Sequence, residues 1–234
     1  MSITQRQEKL LNTLVKDYIE EVNPVSSEYL KDKYNLGVCS ATVRGEMQKL
    51  TKKGYLKQPH TSSGRVPTNK AYRFFVDSFL EKGSEEYDCP QFEELKKMED
   101  DIFRFAELTT RILASRSCGL VISCLLKEGL LWEDGWEEIF RTPEFEDKSF
   151  RNIFIKEAKS LEKSINELCE LPDSINIYIG REKSVLGSQD LSLMVAKSRF
   201  SDKGEGMLAV LGPNRMAYDK NIRVINSLIK IMEE

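Results

Sequence analysis

Between Thr4 and Phe79 the apolar residues fall into helical stripes separated by three breaks, and this punctuation constrains the fold more than any other feature of the chain. Leu10, Leu11, Leu14, Val15, Tyr18, Ile19 and Val22 recur at the spacing of one amphipathic helix, which stops near Asn23-Pro24. Ser26 then stands as an N-cap with Glu28 in the first turn, where a carboxylate complements the helix dipole, and a short second helix runs to about Tyr34. A turn, LGVC, contains Gly37. A third helix begins at Ser40, carries Val43, Met47 and Leu50 on one side, and ends at Gly54. YLKQ reads as a short strand, and HTSSGRVPT is too polar and turn-rich to be anything but an exposed loop. Tyr72, Phe75, Val76 and Phe79 stripe a fourth helix that starts near Thr68 and leads away from the unit.

Three helices, a glycine turn between the second and third, then a strand and a basic loop form the pattern of a winged helix-turn-helix. Its third helix reads DNA when directed donors point outward and the other side packs on the core. Thr42, Arg44, Gln48 and Lys52 lie opposite Val43 and Met47, with Arg44 the best placed for a bidentate guanine contact. Ser40 suits an N-cap and a phosphate contact together. The loop supplies the basic side chains Lys57, Arg65 and Lys70 together with His60, with Arg65 expected at the wing tip, while Thr61, Ser62 and Ser63 offer small hydroxyl donors suited to phosphate oxygens.

Charge supports the assignment. Residues 38–73 hold eight Lys and Arg against one acid, Glu46, whereas residues 81–234 hold 22 basic against 30 acidic side chains. A local basic face on an acidic protein points to a polyanionic partner for the first third only.

The remainder reads as mixed helix and strand. Residues 84–90 suggest a linker, and residues 91–116 a charged connecting helix with Phe92, Leu95, Met98, Ile102, Phe105, Leu108 and Ile112 on its apolar side, able also to hold two chains together. CGLVISCLL (118–126), SINIYIG (174–180), LSLMVAKSRF (191–200) and GMLAVLG (206–212) are strand candidates; residues 150–170 and 219–234 are helices. The expected fold class is α+β: a winged helix-turn-helix over residues 1–83, a linker and connecting helix over 84–116, and an α/β regulatory or dimerisation domain over 117–234.

Several chemistries are excluded. His60 lies beside Ser62 and Ser63, but nothing nearby orients the imidazole and no GxSxG elbow exists. Gly64 and Lys70 are out of register for a phosphate-binding GxxxxGK[ST] loop. With one histidine and no CxxC pair, the five cysteines (Cys39, Cys89, Cys118, Cys124 and Cys169) read as free and mostly buried thiols, and neither a metal nor a cofactor is expected. Glu133, Asp134, Glu137 and Glu138 read as a solvated helix face, and Trp132 and Trp136 as core. No apolar run approaches the roughly 18 residues of a membrane span, so a cytoplasmic protein is expected.

The runs ITQRQEKLL, DYIEEVNPVSSEYL, SATVRGEMQKLTKKGYLKQPHTSSGRVPT and AYRFFVD resemble HrcA, the bacterial heat-shock repressor family. RTPEFEDKSF, SLMVAKSRF and GMLAVLGPNRMAYDKNIRVINSL resemble the closing part of that family's GAF-like domain. The resemblance implies a homodimeric repressor that binds an inverted-repeat operator called CIRCE upstream of chaperone operons, its active state promoted by the GroEL chaperonin. Two departures stand out. Gly45 occupies a position where the family usually has asparagine, which implies an altered operator preference, and the chain between CGLVIS and RTPEF is much shorter than in typical members. The main alternative is a ligand-sensing regulator whose second domain binds a small effector.

Overall fold

Thr4 opens the first helix, α1 (Gln5–Glu21), with a capping box: its side chain accepts from the Gln7 amide while the Gln7 side chain accepts from the Thr4 backbone. In this computed structural model the described residues are 3–34, 37–81, 87–97, 101–126, 129–164, 168, 174–199 and 204–233. Cys169, Met98, Phe200, residues 84–86 of the expected linker and residues 165–167 and 169–170 of the expected long helix lie outside them. The chain divides into two units, residues 1–82 and 83–234, and its fold is α+β.

In the first unit α1 ends at Val22, whose N–H reaches Tyr18 O at 3.0 Å. Ser26 Oγ accepts from the Tyr29 amide at 3.1 Å and starts α2 (Ser27–Tyr34). The next helix, α3 (Ser40–Lys52), buries Val43, Met47 and Leu50 as its apolar spacing requires. Its end is a Schellman motif: Gly54 sits at φ +79°, its N–H bonds Thr51 O, and the Tyr55 N–H bonds Leu50 O, both at 3.0 Å. Two short antiparallel strands follow, β1 (Leu56–Lys57) and β2 (Val66–Pro67). The last helix of the unit, α4 (Asn69–Glu81), buries Ala71, Tyr72, Phe75 and Val76 and packs on α1 and β2. It therefore completes this unit's core, which corrects the expectation that it simply leads away.

The second unit is built on a five-stranded, wholly antiparallel sheet: β3 (Leu120–Leu125), β4 (Leu130–Asp134), β5 (Ile175–Ile179), β6 (Leu191–Arg199) and β7 (Glu205–Pro213), in the order β4-β3-β7-β6-β5. Leu120, Ile122 and Cys124, with Leu191, Leu193 and Val195 and with Met207, Ala209 and Leu211, face one core cluster. Phe145, Phe150 and Phe154 close that cluster from a 3-10 turn (Pro143–Glu146) and from α8 (Lys148–Lys163). Trp136 joins them from α7 (Trp136–Phe140), edge-on to Phe154. The alternate side chains meet α6 (Ile102–Ser117) and α9 (Tyr218–Glu233): Ser123 bonds Thr110 of α6, and Ser192 bonds the Tyr218 hydroxyl of α9 at 2.7 Å. Burial on both faces explains why β3, β6 and β7 read as nearly continuous apolar runs rather than alternating ones.

Several expectations fail here. Residues 91–116 are not one helix but α5 (Pro90–Lys96) and α6, because the Asp101 side chain caps a new helix through the Arg104 amide at 3.1 Å. The apolar side of α6 is covered by the sheet, so it is no free connector. Glu133 and Asp134 lie on strand β4, paired with β3, and only Glu137 and Glu138 are helical. Trp132 and Trp136 consequently sit on different elements, Trp132 beside Phe103 and Trp136 partly buried against the core cluster. Of the four described cysteines, Cys89 and Cys124 are buried as expected, while Cys39 and Cys118 are exposed.

Candidate nucleic-acid interface

The expected contact residues collect around α3 and the loop joining β1 to β2. One flank of α3 is tied to α1: Gln7 Nε2 donates to Glu46 at 2.7 Å, and Lys53 Nζ donates to Gln7 Oε1 at 2.9 Å. The opposite flank is tied to the loop, where Arg65 Nε donates to Thr51 Oγ1 at 3.3 Å. The inner side is apolar core. What remains outward is a strip holding Ala41, Arg44, Gln48 and Lys52, all exposed, with Gly45 at its middle. Thr42 is half-buried on the flank toward α1. A Cβ added at Gly45 would meet no neighbouring atom within 4 Å, so the strip is open there.

Behind α3 the unit is braced by charge. Asp17 is 1% exposed and accepts from Tyr29, Lys33 and Tyr34 at 3.1, 2.6 and 3.0 Å. The hydrogen bonds to Asp17 and then to Tyr29 raise the Lys33 pKa, and burial followed by the bond to Asp17 raises that of Tyr34. Such a braced carboxylate fixes α2 against α1, and α3 with it through the α2–α3 packing. The Glu46 carboxyl is held below its ordinary range by Lys49 and then Gln7.

The loop is internally organised. Ser63 Oγ accepts from the His60 amide at 3.0 Å and donates to the His60 carbonyl at 2.8 Å, while Gln58 Nε2 donates to the carbonyls of Thr61 and Ser63 at 2.8 and 3.0 Å. His60, Thr61 and Ser62 remain exposed at the tip, and Lys57 is exposed on β1. The base is clamped to the α1–α2 connection: Val25 and Arg65 exchange both backbone bonds, at 2.9 and 2.8 Å. Gly64 is required there, since a Cβ would lie 2.4 Å from the Val25 carbonyl oxygen.

The structure therefore rearranges part of the expected set. Arg65 is at the base of the loop, half-buried against Thr51, and not at the tip, because its backbone is engaged with Val25. Ser63 is committed to closing the loop. Lys70 Nζ donates to the Lys53 carbonyl at 2.9 Å and lies 4.4 Å from the Tyr55 ring centre, so it caps the C-terminus of α3. Ser40 is the first helical residue; Cys39 holds the N-cap position, its thiol held below its ordinary range chiefly by the hydrogen bond with the Thr42 side chain. Gln7 and Gln58, the two glutamines that hold helix and loop in place, were absent from the expected set. The T-x-x-Q spacing of Thr4 and Gln7 is a legible capping signal; no sequence signal marks Gln58.

Among the described residues no three His, Cys, Asp or Glu side chains converge as metal ligands, and no helix is long and apolar enough to cross a membrane.

Comparison with known proteins adds a family context. The HrcA protein C terminal domain matches residues 69–222. Proteins named heat-inducible transcription repressor HrcA align over nearly the whole chain. That of Thermoanaerobacter sp. (strain X514) is 26% identical over 98% of this chain and 96% of the relative, and that of Clostridium botulinum (strain Alaska E43 / Type E3) is 28% identical over 98% and 97%. A second Clostridium botulinum protein of that name (strain Eklund 17B / Type B) is 54% identical over 81 residues, 35% of this chain and 24% of the relative. The two long alignments run over 332 positions, so about a hundred of them have no residue of this 234-residue chain opposite. A crystal structure described as that of a hypothetical protein superposes with a TM-score of 0.79 at 20% identity, covering 99% of this chain and 98% of that one; it speaks for the fold alone.

Proposed function

The chain belongs to the HrcA family, whose members are named heat-inducible transcription repressors and not enzymes, and we propose that it is a dimeric, cytoplasmic repressor whose first unit is a winged helix-turn-helix reading an inverted-repeat operator of the CIRCE type. In this reading α3 enters the major groove and the β1–β2 loop is the wing. The second unit is the reduced GAF-like domain that joins two copies, and a GroEL-type chaperonin supports the active state. The observation that carries the reading is the exposed strip of Ala41, Arg44, Gln48 and Lys52 on a helix held on both flanks and buried behind. A rigid helix with one open polar face matches a groove that admits a single helix and offers a distinct donor and acceptor pattern for each base pair. Arg44 supplies the bidentate guanine contact, with Gln48 beside it; Lys57, His60, Thr61 and Ser62 meet phosphates. Two α3 helices related by a two-fold axis fit half-sites about 34 Å apart or a multiple of that.

The test is selection from a random pool of duplex DNA with the purified protein, its mass in solution measured alongside. The expected result is enrichment of an inverted repeat and a mass twice that of one chain. No enrichment, or an enriched half-site with a single-chain mass, overturns the reading.

A second reading, a small-effector sensor, is favoured by a cavity of about 490 Å³ between α8 and residues 181–190, lined by Ile153, Lys156, Glu157, Arg181 and residues 187–190. Six of its eight lining residues carry polar or charged side chains, whereas most small-molecule sites are lined chiefly by hydrophobic and aromatic ones. The repressor reading therefore leads.

A further inference from the structure

The contact residues proposed above lie on α3 and on the loop side of it. The other flank of α3 has a charged border of its own. A groove of about 50 Å³ runs between the start of α1 and α3, lined by Arg6, Lys9, Leu10, Val38, Thr42, Val43 and Glu46. It is too small for an organic effector, which needs several hundred cubic ångströms. Its outer rim is basic: Arg6 and Lys9 are both exposed and stand three residues apart on one face of α1. Thr42 of α3 lines the same groove, so the rim adjoins the reading helix. The one carboxylate in the groove, Glu46, is already bonded by Lys49 at 2.8 Å and by Gln7 at 2.7 Å, which leaves the rim with net positive charge.

We propose that Arg6 and Lys9 form a second phosphate anchor, gripping the DNA backbone on the side of α3 opposite the loop. This inference rests on the reading of α3 as the recognition helix. Charge complementarity selects the occupant: a helix lying in a major groove has a phosphate backbone along each flank, and two exposed cations border this flank as Lys57 borders the other. Seated between two anchors, α3 keeps a fixed register, while Arg6 and Lys9 carry no sequence information themselves.

The experiment measures fluorescence anisotropy across a salt series with two duplexes: the inverted repeat selected by the wild-type protein, and a scrambled duplex of the same composition. Proteins compared are wild type, Arg6→Gln/Lys9→Gln, the charge-preserving Arg6→Lys/Lys9→Arg, Arg44→Ala, and Lys148→Ala/Lys159→Ala as a control for net charge on exposed residues of the second unit. For Arg6→Gln/Lys9→Gln the expected result is a slope of log affinity against log salt shallower by about 0.9 for each phosphate no longer neutralised, on both duplexes, with an unchanged ratio between them. The charge-preserving pair keeps the wild-type slope, as does the Lys148/Lys159 control. A wild-type slope for Arg6→Gln/Lys9→Gln overturns the anchor even where Arg44→Ala has lost discrimination and the reading-helix assignment stands. An Arg44→Ala protein with wild-type discrimination sinks the recognition-helix reading instead, whatever the slopes. An equal slope change in the Lys148/Lys159 control overturns the anchor as well, since it assigns the effect to net charge.

Discussion

The two units bury different things. The second closes a five-stranded sheet between two layers, and one side of that sheet carries an apolar cluster built round Phe145, Phe150 and Phe154, with Trp136 packed against it. The first has a smaller apolar core and is pinned by polar side chains: Gln7 between α1 and α3, Asp17 between α1 and α2, Gln58 and Ser63 within the loop, and Thr68 on the carbonyls of Gly54 and Tyr55. A unit that must present cations outward has few apolar faces left to hide. It fixes its geometry instead with directed hydrogen bonds, which are worth about 1 kcal/mol each but specify position closely.

Cutting into the second unit's interior should have the largest effect. Phe154 is 0% exposed and touches three aromatic rings, so Phe154→Ala should cost about 3–5 kcal/mol in denaturant unfolding. A reduction below about 1 kcal/mol would show that this cluster is not the centre of that core. In the first unit a single methyl group should matter instead. Gly64→Ala forces a clash with the Val25 carbonyl and should cost about 1–3 kcal/mol, together with DNA affinity, because the loop leaves its seat. Unchanged melting and binding would show that the clamp does not hold the loop. Gly45→Ala sharpens the comparison in the opposite direction: the site is open, so an added methyl should stabilise α3 by about 0.5–1 kcal/mol, read as a raised thermal midpoint.

The smallest effect concerns acid. Glu46 has a depressed folded-state pKa, so its contribution is present above the unfolded carboxylate value and is lost as pH falls through the lower folded value. Glu46→Gln should therefore lower the thermal midpoint at neutral pH and converge with the wild type in acid. A constant difference between the two at every pH contradicts this.

Legibility in the sequence follows the same division. The buried residues of α1, α3, β3, β6 and β7 were visible because their spacing follows helix period or unbroken burial. Strand β4 was missed: Leu130 and Leu131 are each 39% exposed at the sheet's edge, and the acids after them read as a helix surface. The break between α5 and α6 is hidden because both segments share one apolar phase, and the Asp101 cap that opens α6 carries no periodic signal. At the candidate site the residue types and the loop were legible, but not Arg65's seat on Thr51, Lys70's on the end of α3, or Gln58's hold on the loop tip. These are polar interactions between residues distant in sequence or within irregular backbone, and no periodicity encodes them.

The central claim is that α3 reads base sequence through Arg44. The direct measurement is the ratio of affinities for the selected inverted repeat and its scrambled duplex, wild type against Arg44→Ala, at one fixed salt concentration. The account predicts that discrimination falls by about 1–3 kcal/mol per half-site while binding to the scrambled duplex weakens far less; an Arg44→Ala protein that keeps the wild-type ratio would contradict it.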